Sequence, residues 1–247
     1  MSPAQSPKSR LRQVGTVLGP PELRPSAPGR RIFIAGHQLT GKSTVARLLA
    51  EQLGLPRFSG GAMVRRMAAD AGLSVEEMSR RLANQPHADA AVDRALLVAA
   101  SAGPAFTESR MAGWLGAVFE KIAGLRTHRV LLRCSDGERA LRWVGRELGA
   151  EAGAEARRRA AESKLGPDPS LPDALEHSVA LLPLELRPEP GMVADAGQRD
   201  CADRQRLHSL HGVDYDDPSA VNLVLDVTRL RPAEVVEALL EPVLTLN

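Results

Sequence analysis

Between Gly36 and Ser43 the chain reads GHQLTGKS, two glycines five residues apart followed by Lys42 and Ser43, with a second hydroxyl at Thr44. These residue types in this order suit a polyphosphate. Glycine lets backbone N–H groups close tightly around phosphate oxygens, and the lysine supplies a point charge to the β- and γ-phosphates. A serine hydroxyl next to the lysine can ligate Mg²⁺, and Thr44 can bond the α-phosphate. His37, Gln38, Leu39 and Thr40 fill the interior. Leu39 stands where related loops commonly carry glycine; if φ is positive there, leucine costs about 1–2 kcal/mol.

Such a loop works only between a strand and a helix. RIFIA (31–35) is a short apolar strand, and KSTVARLLAEQLG is helical, with Val45, Leu48, Leu49 and Leu53 on one face and Gly54 as its stop. Downstream, SVEEMSRRLA opens with a capping box, Ser74 and Glu77, and ADAAVDRALLVAASAG is a further helix. PAFTES, RVLLRC and NLVLDVT read as strands; GERALRWVGREL and RPAEVVEALLEPV read as helices. Strands alternating with helices predict an α/β fold with a mainly parallel sheet covered on both faces. Residues 149–198 break the rhythm with an Ala/Glu/Arg helix and then proline-punctuated text, the mark of a lid or an insertion in one. Residues 1–29, rich in Pro, Ser and Gly, read as a disordered tail, leaving 30–247 as one domain.

Composition narrows the class. Net charge is +2 over 247 residues, well short of a nucleic-acid footprint. Only four lysines occur, so the basic residues are nearly all arginine. Two cysteines without paired spacing fit a reducing compartment, and no apolar run approaches a membrane span. A cytoplasmic monomer with no nucleic-acid or membrane partner is the expectation.

Four later stretches carry a resemblance. FSGGAMVRRMA is similar to an S-x-G-D-x-x-R segment at Ser59, Gly61 and Arg65, with Ala62 at the Asp position. LSVEEMSRRLANQPHADAAVDR is similar to the helix pair that follows it, Asp89, Asp93 and Arg94 included. ESRMAGW resembles E-G-R-L-A-G-W, with Ser109 for glycine and Arg110 as its arginine. RDCADRQRLHSLHGVDYDD resembles R-E-x-S-D-x-x-R-Y-x-x-x-Y-G-I-D, placing Arg199, Asp203 and Arg206 but putting Leu207 and His211 at the tyrosines. The chain thus resembles the cytidylate kinases, the short archaeal-type branch of the nucleoside monophosphate kinases, from Arg31 to about Leu240 apart from the insertion.

The resemblance implies a P-loop NTPase three-layer sandwich with a helical segment for the monophosphate and a lid over about 149–211. It also implies ATP, Mg²⁺ and a nucleotide acceptor, most directly CMP or dCMP. Gly36 to Thr44 would cradle ATP. Ser59, Arg65, Arg110 and Asp203 would serve the acceptor, with Arg110, Arg199, Arg206 and Lys42 stabilising transfer. Ser43 and, through water, Glu108 would hold Mg²⁺. The residue types suit this chemistry: a phosphate nucleophile needs no general base, only cancellation of repulsion and in-line alignment, and arginine forks supply both.

Taken singly, Arg65, Arg199 and Arg206 read first as solvated helix faces. Asp203 then reads as their helix partner, Ser59 as a cap and Glu108 as a strand-end carboxylate. Cys201, His208 and His211 share a helical spacing but offer no fourth zinc ligand, and DYDD (214–217) reads as a turn. Two alternatives stay open. One is a P-loop kinase for another acceptor, with Glu108 as base if that acceptor is an alcohol. The other is a non-catalytic nucleotide-binding module; a kinase should not need residues 1–29.

Overall fold

The computed structural model describes residues 6–18, 23, 29–163 and 169–245. Its elements run α1 (Pro7–Leu18), β1 (Arg31–Gly36), α2 (Lys42–Leu53), β2 (Arg57–Ser59), α3 (Gly60–Asp70), α4 (Val75–Ala83), α5 (Pro86–Ser101) and β3 (Ala105–Glu108). They continue with α6 (Ala112–Ala123), β4 (His128–Arg133), α7 (Asp136–Glu147), α8 (Ala150–Glu162) and α9 (Leu171–Ala180). The chain closes with α10 (Pro190–His211), β5 (Leu223–Asp226) and α11 (Pro232–Thr245).

All six residues of β1 are buried, as a strand covered on both faces demands. It lies at the centre of a five-stranded sheet of order β2-β3-β1-β4-β5, every pair parallel. Register sets Ile34 beside Glu108 on one side and Gly36 beside Leu132 on the other, so the strand ends form one rim. Alternation then builds two cores. Ile32, Ile34, Val130 and Leu132 pack against Val45 and Leu49 of α2 and Val235 and Leu239 of α11. Phe33, Ala35 and Leu131 face the other way, onto α5 and α6, where Trp114 and Phe119 sit. Sheet and helices form the expected three layers.

Residues 149–198 hold a core of their own. Trp143 and Val144 of α7 pack with Ala152 and Ala156 of α8 and with Leu171 and Leu175 of α9. From residue 169 on, the proline-punctuated text holds two helices: Ser170 caps α9 by accepting from the Asp173 amide, and prolines open both α9 and α10.

One expectation is corrected. Residues 7–18 are not a disordered tail but helix α1, with Val14 and Leu18 fully buried against α5 and α6. Leu11, Val14 and Leu18 recur at helical spacing, a stripe that the flanking prolines hide in the text. The expected tail's positions 1–5, 19–22 and 24–28 lie outside the described residues. The three-residue edge strand β2 was also not expected.

Candidate active site

The phosphate loop is shaped by two glycines. Gly36 ends β1 at φ +146°, where a Cβ would come within 2.5 Å of the Leu132 carbonyl oxygen, so no larger residue fits. Gly41 caps α2 at φ +89°. Leu39, at φ +65°, is the one positive-φ residue other than glycine among the described residues. Its strain is offset: the side chain packs onto the cluster shared by α7, α8 and α9.

The remaining interior residues are tied down as well. Gln38 donates to the Ala196 carbonyl of α10 at 3.2 Å. The Gln38 carbonyl accepts from Arg139 Nε at 2.9 Å, and the Thr40 carbonyl from Arg142 at 3.0 Å. His37 meets the Tyr215 hydroxyl at 2.7 Å and the Asp216 carboxylate at 3.0 Å. The hydrogen bond with His37 and the charge of Arg204 hold Asp216 well below the usual carboxylate range. A loop that dispenses with glycine inside thus rests on side chains from α7 and the DYDD turn and on a backbone carbonyl of α10.

Beside the loop opens a cleft of about 1290 Å³. Lys42, Ser43 and Thr44 line it from the N-terminus of α2, where the helix dipole favours anions. Lys42 donates to the His37 carbonyl. Desolvation, then repulsion from Arg110, pull its ammonium pKa down to about 7 against the opposing pull of Glu108. A cation so poorly compensated is matched to a polyanion, whose charge would offset both the burial and the repulsion from Arg110.

Glu108, at the end of β3, is 2% exposed, and its carboxylate accepts from Arg57 at 2.6 Å. Arg110 lines the cleft just beyond, ion-paired to Asp203 of α10. Ser59 and Arg65 line the cleft as well; Ser59 also caps α3, accepting from the Ala62 amide at 3.1 Å. Arg199 reaches the same cleft from α10. The residues fit ATP and Mg²⁺: Gly36 where no Cβ fits, Gly41 held at φ +89°, an anion-seeking lysine, and the Ser43 hydroxyl in one cleft with the Glu108 carboxylate.

Some expected residues stand behind the wall. Gly36, His37, Asp203 and Arg206 do not line the cleft. Arg206 is clasped between Asp89 of α5 and Asp203, the latter at 3.0 Å, and is neither a solvated face nor turned toward the cleft. Burial raises the Asp89 carboxyl despite Arg206. His211 is fully buried, 3.1 Å from Asp93, whereas Cys201 and His208 are exposed. The three do not converge, and among the described residues no cluster of three His, Cys, Asp or Glu side chains could hold a metal ion.

Sequence reasoning missed Arg57, Asp200, Tyr215 and the arginines of α7. Arg139, Arg142 and Arg146 recur at i, i+3 and i+7, one helix face, and that periodicity was a readable signal. Among the described residues no helix is long and apolar enough to cross a membrane.

Comparison with known proteins finds a family model and several relatives. A family model described as AAA domain matches residues 32–162. The cytidylate kinase of Aeropyrum pernix is 43% identical over 83 residues, 34% of this chain and 48% of that protein. In that match the chain spans about half the relative's length. The cytidylate kinase of Pyrobaculum aerophilum is 27% identical over 210 residues, covering 85% of this chain and 90% of that one. Among solved structures, an uncharacterized protein from Eubacterium ventriosum has a TM-score of 0.49 at 10% identity, covering 89% of this chain and 100% of the other.

Proposed function

The chain belongs to the AAA domain family, and from that premise we propose that it is a nucleoside monophosphate kinase. It transfers the γ-phosphoryl group of ATP, with Mg²⁺, to CMP or dCMP. The similarity to curated cytidylate kinases over most of the chain supports the reaction class and suggests the acceptor. The observation that carries the reading is convergence: Lys42 from α2, Glu108 and Arg110 from the end of β3 and the turn after it, and Arg199 from α10 line one cleft with Ser59 and Arg65.

The chemistry follows from these groups. The acceptor phosphate is already anionic near neutral pH, so the barrier lies in bringing two polyanions together. Lys42 and the backbone N–H groups of the loop hold the donor. Arg65 and Arg110 hold the acceptor, with Arg110 oriented by Asp203. Arg199, from α10 acting as lid, neutralises the transferring group. Ser43, with Glu108 through water, would hold Mg²⁺, which would supply charge neutralisation for the transferring phosphates. Asp203 and Arg206 act as supports behind the wall rather than as ligands. We read the working form as a cytoplasmic monomer acting on free nucleotides.

Coupled ADP release tests this with ATP and Mg²⁺ across CMP, dCMP, UMP, AMP and GMP, using Lys42→Ala as control. CMP- or dCMP-dependent turnover that the variant loses supports the kinase. ATP binding without turnover on any monophosphate sinks it in favour of a nucleotide-binding module. Turnover on another base would retain the kinase and move the acceptor, pointing to Ala62 and Ser109.

A further inference from the structure

We propose that Asp200 is a positioning residue which, held by Arg139 and His37, locks α10 to the phosphate loop and so sets Arg199 in the cleft; the inference rests on the kinase reading above. Arg139 is 1% exposed and uses its whole fork. Nε donates to the Gln38 carbonyl at 2.9 Å, one terminal nitrogen to Asp136 at 2.5 Å, and the other to Asp200 at 2.6 Å. A single guanidinium therefore grips the interior of the phosphate loop and α10 at once. The second carboxylate oxygen of Asp200 lies 3.7 Å from His37 Nδ1, beyond hydrogen-bond reach but close enough for an electrostatic contact with the loop. Burial alone would raise the Asp200 carboxyl, but His37 and Arg139 hold it well below the usual range.

Asp200, Arg139 and His37 do not line the cleft, whereas Arg199, one residue before Asp200, does. Consecutive residues on a helix point about 100° apart, so fixing Asp200 against the loop fixes the direction of Arg199. Apolar packing seats only the start of the helix, where Val193 and Ala196 meet the α7–α9 cluster and Gly197 lies against Pro172. Between residues 198 and 206 the only buried residue is Asp203. The register of that later stretch therefore leans on polar ties, chiefly those of Asp200, Asp203 and Arg206. Buried ion pairs contribute little net stability, but a fork with three fixed partners specifies geometry.

The test is kinetic coupling in the full chain. Asp200→Asn, Arg199→Ala and their double variant are compared for kcat, monophosphate KM and ATP affinity by titration calorimetry. A small displacement of a reacting group costs about tenfold to a hundredfold in rate. Asp200→Asn should thus lower kcat by roughly tenfold with KM little changed. In the Arg199→Ala background the same substitution should change kcat by less than about twofold, since nothing remains to be positioned. Arg139→Lys should restore part of the kcat lost in Arg139→Met.

Losses that multiply in the double variant, or an unchanged kcat in Asp200→Asn, would overturn the proposal. If Arg139→Met does not fold, the near-isosteric Asp200→Asn carries the test alone. Should the unaltered protein turn over no monophosphate, the kinase reading fails by itself. The coupling is then read from ATP dissociation constants, where independent effects of the two substitutions would refute the bridge.

Discussion

Leu39 sets backbone strain against packing at one position. At φ +65° its own conformation costs about 1–2 kcal/mol, and its side chain recovers that by covering the α7–α9 cluster. Alanine keeps the strain and loses the packing; glycine loses the packing but sheds the strain. Urea unfolding should therefore rank Leu39→Ala as more destabilising than Leu39→Gly, by about 1 kcal/mol, the reverse of the order at an ordinary helical site. Equal costs would mean the loop escapes its strain. The cysteines differ just as plainly. Burial pushes the Cys134 thiol up to about 11, while Cys201 is exposed. Near pH 8, iodoacetamide followed by peptide mass analysis should label Cys201 on the order of a hundredfold faster. At this scale the sequence was readable where chemistry is local. Gly36, Gly41, Lys42 and Ser43 announce themselves because each meets a demand within a few residues. Arg139 and Asp200 do not, since their pairing spans 61 positions and only the folded chain brings them together.

Element by element, legibility followed periodicity and capping. The capping box at Ser74 and Glu77 is present in α4, and the apolar runs at 31–35 and 128–133 are central strands. The edge strand β2, three residues long, is too short for any alternation to register. Helix α1 was missed for a different reason: its stripe has meaning only against the partners it covers. It is nonetheless part of the core, with Leu18 fully buried and its carbonyl accepting from Arg94 at 3.0 Å. Leu18→Ala should lower unfolding free energy by about 2–4 kcal/mol in urea titration. Removing residues 1–18 should lower the melting temperature and expose the apolar faces of α5 and α6. A truncated chain that melts like the full one would reinstate the dispensable tail.

Across the molecule, the cleft joins the sheet rim to the α7–α10 assembly, so a ligand that bridges them stabilises both. At a hundredfold its dissociation constant, ATP should raise unfolding free energy by about 2.7 kcal/mol. Lys42→Met should erase most of that gain, as a thermal-shift series in ATP would register. An equal shift in the variant would place ATP outside this loop. The position of α1 has another consequence. Arg10 is ion-paired to Asp217, 207 residues later, in the same turn whose Asp216 steadies His37. The apolar stripe of α1 can be covered as soon as α5 and α6 exist, but its charged tie must wait for 207 further residues to be synthesised. Contacts of such long sequence range form late, so the outer support of the phosphate loop is completed well after the helices that pack on α1.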